Sequence, residues 1–83
     1  MTPRDILKEL RRKPFKPFRI TATEGSSYEV RHPEICVVTR DTVYVGLNPL
    51  EDEGLLVEDY VLVDIAHVVK IEPIHATAKG KKS

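Results

Sequence analysis

Cysteine occurs once in these 83 residues and tryptophan not at all. A lone Cys36 excludes an internal disulfide, a cysteine-built zinc site and a Cys-x-x-Cys redox motif. Its setting, Ile35-Cys36-Val37-Val38, reads as a buried structural thiol. Glycine is scarce too: Gly25, Gly46, Gly54 and Gly80 stand alone, so no glycine-rich loop exists to cradle a phosphate. No apolar stretch approaches the roughly 18 residues that a membrane span needs, and Met1-Thr2-Pro3-Arg4-Asp5 lacks a hydrophobic signal region. The expectation is a cytoplasmic protein with no membrane role.

Catalytic groups are equally sparse. The histidines are His32, His67 and His75, and Pro73 separates the last two, which leaves no short-spaced pair for a metal. His32 and Glu34 flank Pro33, a setting that suits a turn capping its own backbone. Ser26 and Ser27 sit in a turn without a Gly-x-Ser-x-Gly elbow. These absences predict a non-enzymatic protein that uses no cofactor and no metal.

What is present is an uneven charge. The formal net charge is zero, yet residues 1–19 hold seven Lys or Arg against Asp5 and Glu9, a net +5. Residues 75–83 add Lys79, Lys81 and Lys82, while residues 20–74 hold eleven acids against Arg31, Arg40 and Lys70, a net −8. Two basic arms therefore flank an acidic body. They can grip phosphates, dock on an acidic body of the same or a neighbouring subunit, or stay solvated.

Thr2-Pro3-x-Asp5 forms a variant capping box, and Ile6, Leu7 and Leu10 share one side of a short helix. The helix stops near Arg12, because Lys13 precedes Pro14. Pro14-Phe15-Lys16-Pro17 is an extended connector. From Phe18 the apolar period becomes two: Phe18, Ile20 and Ala22 alternate with polar residues, Gly25 supplies a turn, and Tyr28 and Val30 return as the second strand of a hairpin. His32-Pro33 forces a bend before Ile35 to Val38. Arg40-Asp41 closes a second hairpin into Thr42 to Leu47, with Gly46 as a bulge or crossing point. Residues 48–54 read as an acidic loop, Tyr60 to Val63 as a strand, and Asp64 as the cap of a single turn, Ile65-Ala66-His67, before a closing strand from Val68. The pattern predicts a mainly β domain over residues 1–74: an N-terminal helix and a five-stranded antiparallel SH3-like or Sm-like barrel, with an open α+β sheet as the alternative. Residues 75–83 read as a disordered basic tail.

For nucleic acid the sharpest run is Arg11, Arg12, Lys13, Phe15 and Lys16, joined by Lys79, Lys81 and Lys82. The cations would meet phosphates, while Phe15 either stacks on a base or packs the helix against the strands. Tyr28 and Tyr44 suit the wall of the fold better than a base platform.

The runs Pro14-Phe15-Lys16-Pro17-Phe18-Arg19-Ile20 and Val30-Arg31-His32-Pro33-Glu34, with the closing Val68-Val69-Lys70-Ile71-Glu72-Pro73, resemble a group of short bacterial proteins with no assigned activity. More distantly the chain is similar to the Sm-like family, which includes the bacterial RNA chaperone Hfq. That resemblance implies a homo-oligomer in which the fourth strand of one subunit pairs with the fifth of the next. Here Tyr44-Val45 or Tyr60, Val61, Leu62 and Val63 would meet Val68, Val69 and Ile71. It carries across no RNA-contacting residue, since Asp64-Ile65-Ala66-His67 stands where bacterial members have a Lys-His pair. The partners implied are a second copy of the chain and RNA, with a protein-interaction barrel as the alternative.

Overall fold

A computed structural model describes residues 1–50 and 56–74. The helix α1 spans Pro3–Leu10 and the strands are β1 (Phe18–Ala22), β2 (Ser27–Val30), β3 (Cys36–Val38), β4 (Thr42–Pro49), β5 (Val57–Asp64) and β6 (Val68–Pro73). The capping box forms as the sequence predicts. The Asp5 backbone N–H donates to Thr2 Oγ1, and the Asp5 carboxylate accepts from the Thr2 N–H at 3.0 Å. Donation first from the Thr2 backbone and then from its hydroxyl holds the Asp5 carboxyl below its usual range. Ile6, fully buried, anchors α1 to the core.

Among the described residues the strands number six, in place of the five expected, and pair as two antiparallel sheets ordered β2-β1-β6 and β3-β4-β5. Among the described residues no strand pairing joins the two sheets, so they do not close into a barrel. The reason lies at His32-Pro33. Pro33 has no N–H to give a ladder, and residues Pro33–Ile35 wind into a single 3-10 turn that separates β2 from β3. The two inner faces meet over Phe18, Ile20, Val30, Val43 and Val45, all 0–1% exposed. The second crossing between sheets is the predicted turn Ile65–His67, where Asp64 Oδ1 accepts from the Ala66 N–H at 3.1 Å.

Two further expectations are corrected, and the choice left open at Gly46 is decided. Gly46 makes no bulge, and pairs directly opposite Tyr60. It is a crossing point: a Cβ there would lie 2.9 Å from Val57 Cγ1 and 3.2 Å from Ile35 Cβ. The irregularity sits instead between β1 and β6, where the register steps from Thr21↔Lys70 to Ala22↔Val68 and leaves Val69 without a residue opposite. Asn48 and Pro49, expected in a loop, end β4, with Asn48 in the left-handed region at φ 53°. The rest of that acidic loop, residues 51–55, and the expected disordered tail, residues 75–83, lie outside the described residues. The strand around Tyr60 to Val63 extends from Val57 to Asp64, because residues 57–59 continue its pairing with β4.

The Gly46 crossing yields a stability prediction. Gly46→Ala must displace Val57 or the Ile35 turn and is expected to lose about 1–3 kcal/mol. A urea midpoint equal to that of the parent chain would show that β4 and the turn do not cross this closely.

Candidate interaction surfaces

The two outer sheet faces differ in chemistry. On β2-β1-β6, Arg19 bridges Glu29 (3.4 Å) and Glu72 (3.7 Å), Arg31 meets Glu29 (2.9 Å), and Lys70 meets Glu72 (3.5 Å). These half-exposed pairs add little stability each, but together they give that face a hydrated, charge-balanced surface. On β3-β4-β5, the register sets Val37 opposite Tyr44 and Tyr44 opposite Leu62. Tyr60 stacks on Tyr44 with ring centroids 5.3 Å apart. Val37, Tyr60 and Leu62 are 53–60% exposed, so this face is apolar and open.

The hydrogen bonds fix which strand groups point outward. Thr39 N–H donates to the Thr42 carbonyl and Ile65 N–H to the Asp41 carbonyl, both in register with their ladders. On β4 the even residues therefore bond to β3 and the odd residues to β5. On β5 this turns the N–H and C=O groups of Tyr60 and Leu62 away from β4, and the Tyr60 N–H is taken by Asp59 Oδ1 at 2.8 Å. On β6, Ile74 N–H donates to the Pro17 carbonyl at 3.1 Å, in register with the β1 ladder. Glu72 and Ile74 thus bond inward, and Ile71 turns its N–H and C=O to the open edge. Pro73 also faces outward there with no N–H to offer.

The sequence-predicted interface residues separate accordingly. Val63 and Val68 belong to the core at 7% and 4% exposure, so their side chains cannot meet a partner. Val61 and Ile71 are partly buried and pack against the core. Tyr60, Leu62 and Val69 are exposed. Tyr44 lies on the outer face beside Tyr60. The alternation in β5 was legible in the sequence, whereas the bulge that turns Val69 out carries no local signal.

The predicted basic run is present with two changes. Arg12 is engaged by Glu9 at 2.8 Å. That hydrogen bond, and then the charge of the Glu9 carboxylate, raise the guanidinium pKa. Phe15 is half-buried and packs edge-on against Phe18 with centroids 6.1 Å apart, so it serves the wall of the fold. Arg11, Lys13 and Lys16 are exposed, and no salt bridge among the described residues involves them. Sequence reasoning missed Arg4 and Lys8, which with Leu7 and Arg11 line a shallow depression on α1. Their spacing of four and seven residues was the available signal. Lys79, Lys81 and Lys82 lie outside the described residues.

A groove of about 440 Å³ runs between the end of α1 and the open edge of β6. Pro17, Ile71, Pro73 and Ile74 supply apolar wall, and Arg12 and Lys16 stand at its rim. Among the described residues, no three His, Cys, Asp or Glu side chains converge to hold a metal ion. No described helix is long and apolar enough to cross a membrane.

No known family model matches the chain, and neither a curated protein nor a solved structure matches it.

Cys36 faces the core at 6% exposure, and burial pushes its thiol up to about 11. At neutral pH it stays protonated and weakly nucleophilic. Labelling by a thiol reagent should be slow in the native protein and complete after denaturation. Fast native labelling would contradict the packing of β3.

Proposed function

We propose that this chain is a non-enzymatic, Sm-like, homo-oligomeric binding domain, in which the β5 edge of one copy pairs with the β6 edge of the next. The observation that carries the reading is the pair of open edges. β5 is eight residues long, and its outward groups at Tyr60 and Leu62 meet no proline or bulge. β6 offers Ile71. The edges also differ in charge: β5 carries Glu58, Asp59 and Asp64, while near β6 Glu72 and Glu9 balance Lys70 and Arg12 and leave Lys16 as a cation with no salt bridge among the described residues. Counting β2 and β3 as one bent strand gives five strands, and the pairing is then of fourth with fifth, as the resemblance implies. The domain is small enough that burial within one copy is marginal, which favours association.

Such an assembly would use the exposed cations of α1 and the connector, Arg4, Lys8, Arg11, Lys13 and Lys16, to bind RNA as a polyanion. The alternative, a protein-interaction scaffold with no nucleic-acid role, is favoured by the acidic body and by Arg12, whose charge Glu9 already balances.

Titrating single-stranded RNA at increasing salt separates the two. Polyanion binding should weaken with a log–log slope of about 0.7 per phosphate neutralised. The triple variant Arg11→Ala, Lys13→Ala, Lys16→Ala should lower both affinity and slope. RNA that fails to bind at low salt would remove the RNA reading and leave the scaffold. Sedimentation that finds only monomer at every concentration would overturn the homo-oligomer.

A further inference from the structure

We infer that the side chains of Tyr60 and Leu62 of one copy seat in the groove between α1 and β6 of a second copy. The inference rests on the assembly proposed above and specifies its contact. It follows from strand parity. In an antiparallel seam, residues that exchange hydrogen bonds across it also place their side chains on one face. Of the β5 residues whose backbone groups face the seam, Glu58, Tyr60, Leu62 and Asp64, the apolar two are Tyr60 and Leu62, and their side chains lie on the exposed outer face of β3-β4-β5. The residue of β6 whose backbone groups face the seam is Ile71, whose side chain lies on the inner side and lines the groove. Pairing either β5 residue with Ile71 therefore carries Tyr60 and Leu62 to the groove side of β6. An in-register seam cannot take them to the Lys70 and Glu72 face, because that would turn their backbone groups back into β4.

The chemistry of the two surfaces agrees. Leu62 and Tyr60 are exposed apolar side chains with no described cover, and the groove is an apolar recess with no described filler. The groove lining sets Arg12 and Lys16 beside Glu9 and Glu72; Glu9 balances Arg12, so Lys16, which makes no salt bridge among the described residues, is the cation left to meet Glu58 and Asp59 before Tyr60. Two copies meeting outer face to outer face would instead bring Glu58 and Asp64 of each copy together, and like charges oppose that arrangement. Val69, on the bulge and beside Lys70, takes no part in the seat.

Cysteine cross-linking tests this cleanly because the native thiol is buried. Chains carrying Leu62→Cys, mixed with chains carrying Pro73→Cys and treated with a short bis-maleimide, should give a product of twice the chain mass. Leu62→Cys mixed with Glu29→Cys, which lies on the charge-laddered face, should not. Leu62→Asp changes a solvent-exposed site, so its circular-dichroism melt should match the parent while its assembly constant weakens about tenfold or more. An assembled protein without the Leu62–Pro73 product, or with an assembly constant indifferent to Leu62→Asp, overturns the seat and leaves the oligomer standing. A parent chain that is monomeric at all concentrations overturns both.

Discussion

The architecture depends on one missing hydrogen-bond donor, the amide that Pro33 does not have. A continuous strand from Ser27 to Val38 would tie both halves of the molecule into a single sheet. The turn at Pro33–Ile35 breaks it, and the two three-stranded sheets are held by packing between their inner faces instead of by a shared ladder. That packing is dense at the centre, where Phe18, Ile20, Val43 and Val45 are all but inaccessible. The cost is four strand edges in a domain of this size, each with unpaired backbone groups.

Three of those edges are managed and one is not. β3 has only three residues. β2 has only four residues, and its Glu29 pairs with Arg31 just past the strand's end. β6 is shortened from both ends, by the bulge at Val69 and by Pro73, so that Ile71 alone offers both groups outward. β5 has eight residues, a regular register with β4 over most of its length and exposed apolar side chains. Its one concession to edge protection is Asp59, which occupies the Tyr60 N–H. A single long unprotected strand in a molecule that otherwise limits its edges is what a docking strand requires.

Much of this was legible residue by residue, and the failures share a cause. The capping box at Thr2, the hairpin turn at Gly25, the break at His32-Pro33 and the Asp64 cap are local chemistry, written in neighbouring residues. The core positions of β1 and β4 followed from a period of two. The register step opposite Thr21 depends on residues distant in sequence, and no local pattern encodes it; Gly46 was legible as a bulge or crossing point, but not that Val57 and Ile35 are what it crosses. The barrel was overcounted as closed because period-two segments reveal strands but not whether the first and second halves share a ladder. At the candidate surfaces, the basic run was visible, but Glu9 entered only as a charge to subtract from the arm and not as the partner of Arg12 one helical turn on. The exposure of Tyr60 and Leu62 depended on which face of β5 the core takes.

The contrast between the two outer faces bears most directly on function. A sheet face built for water tends to alternate charges of both signs across its strands, and Glu29, Arg19, Glu72 and Lys70 do so on β2-β1-β6. The same fold, in the same short chain, leaves Val37, Tyr44, Tyr60 and Leu62 on the other sheet. Single exposed apolar residues need no explanation. Four set side by side by the register, centred on a stacked tyrosine pair and bordering the longest open edge among the described strands, do. Solvation cannot supply the reason, because replacing them with the charge pattern of the opposite face would serve solubility at no cost to the core. A partner surface that takes backbone hydrogen bonds at the edge and apolar side chains beside it would give them a reason. Among the described residues, the β6 edge and its groove offer both together.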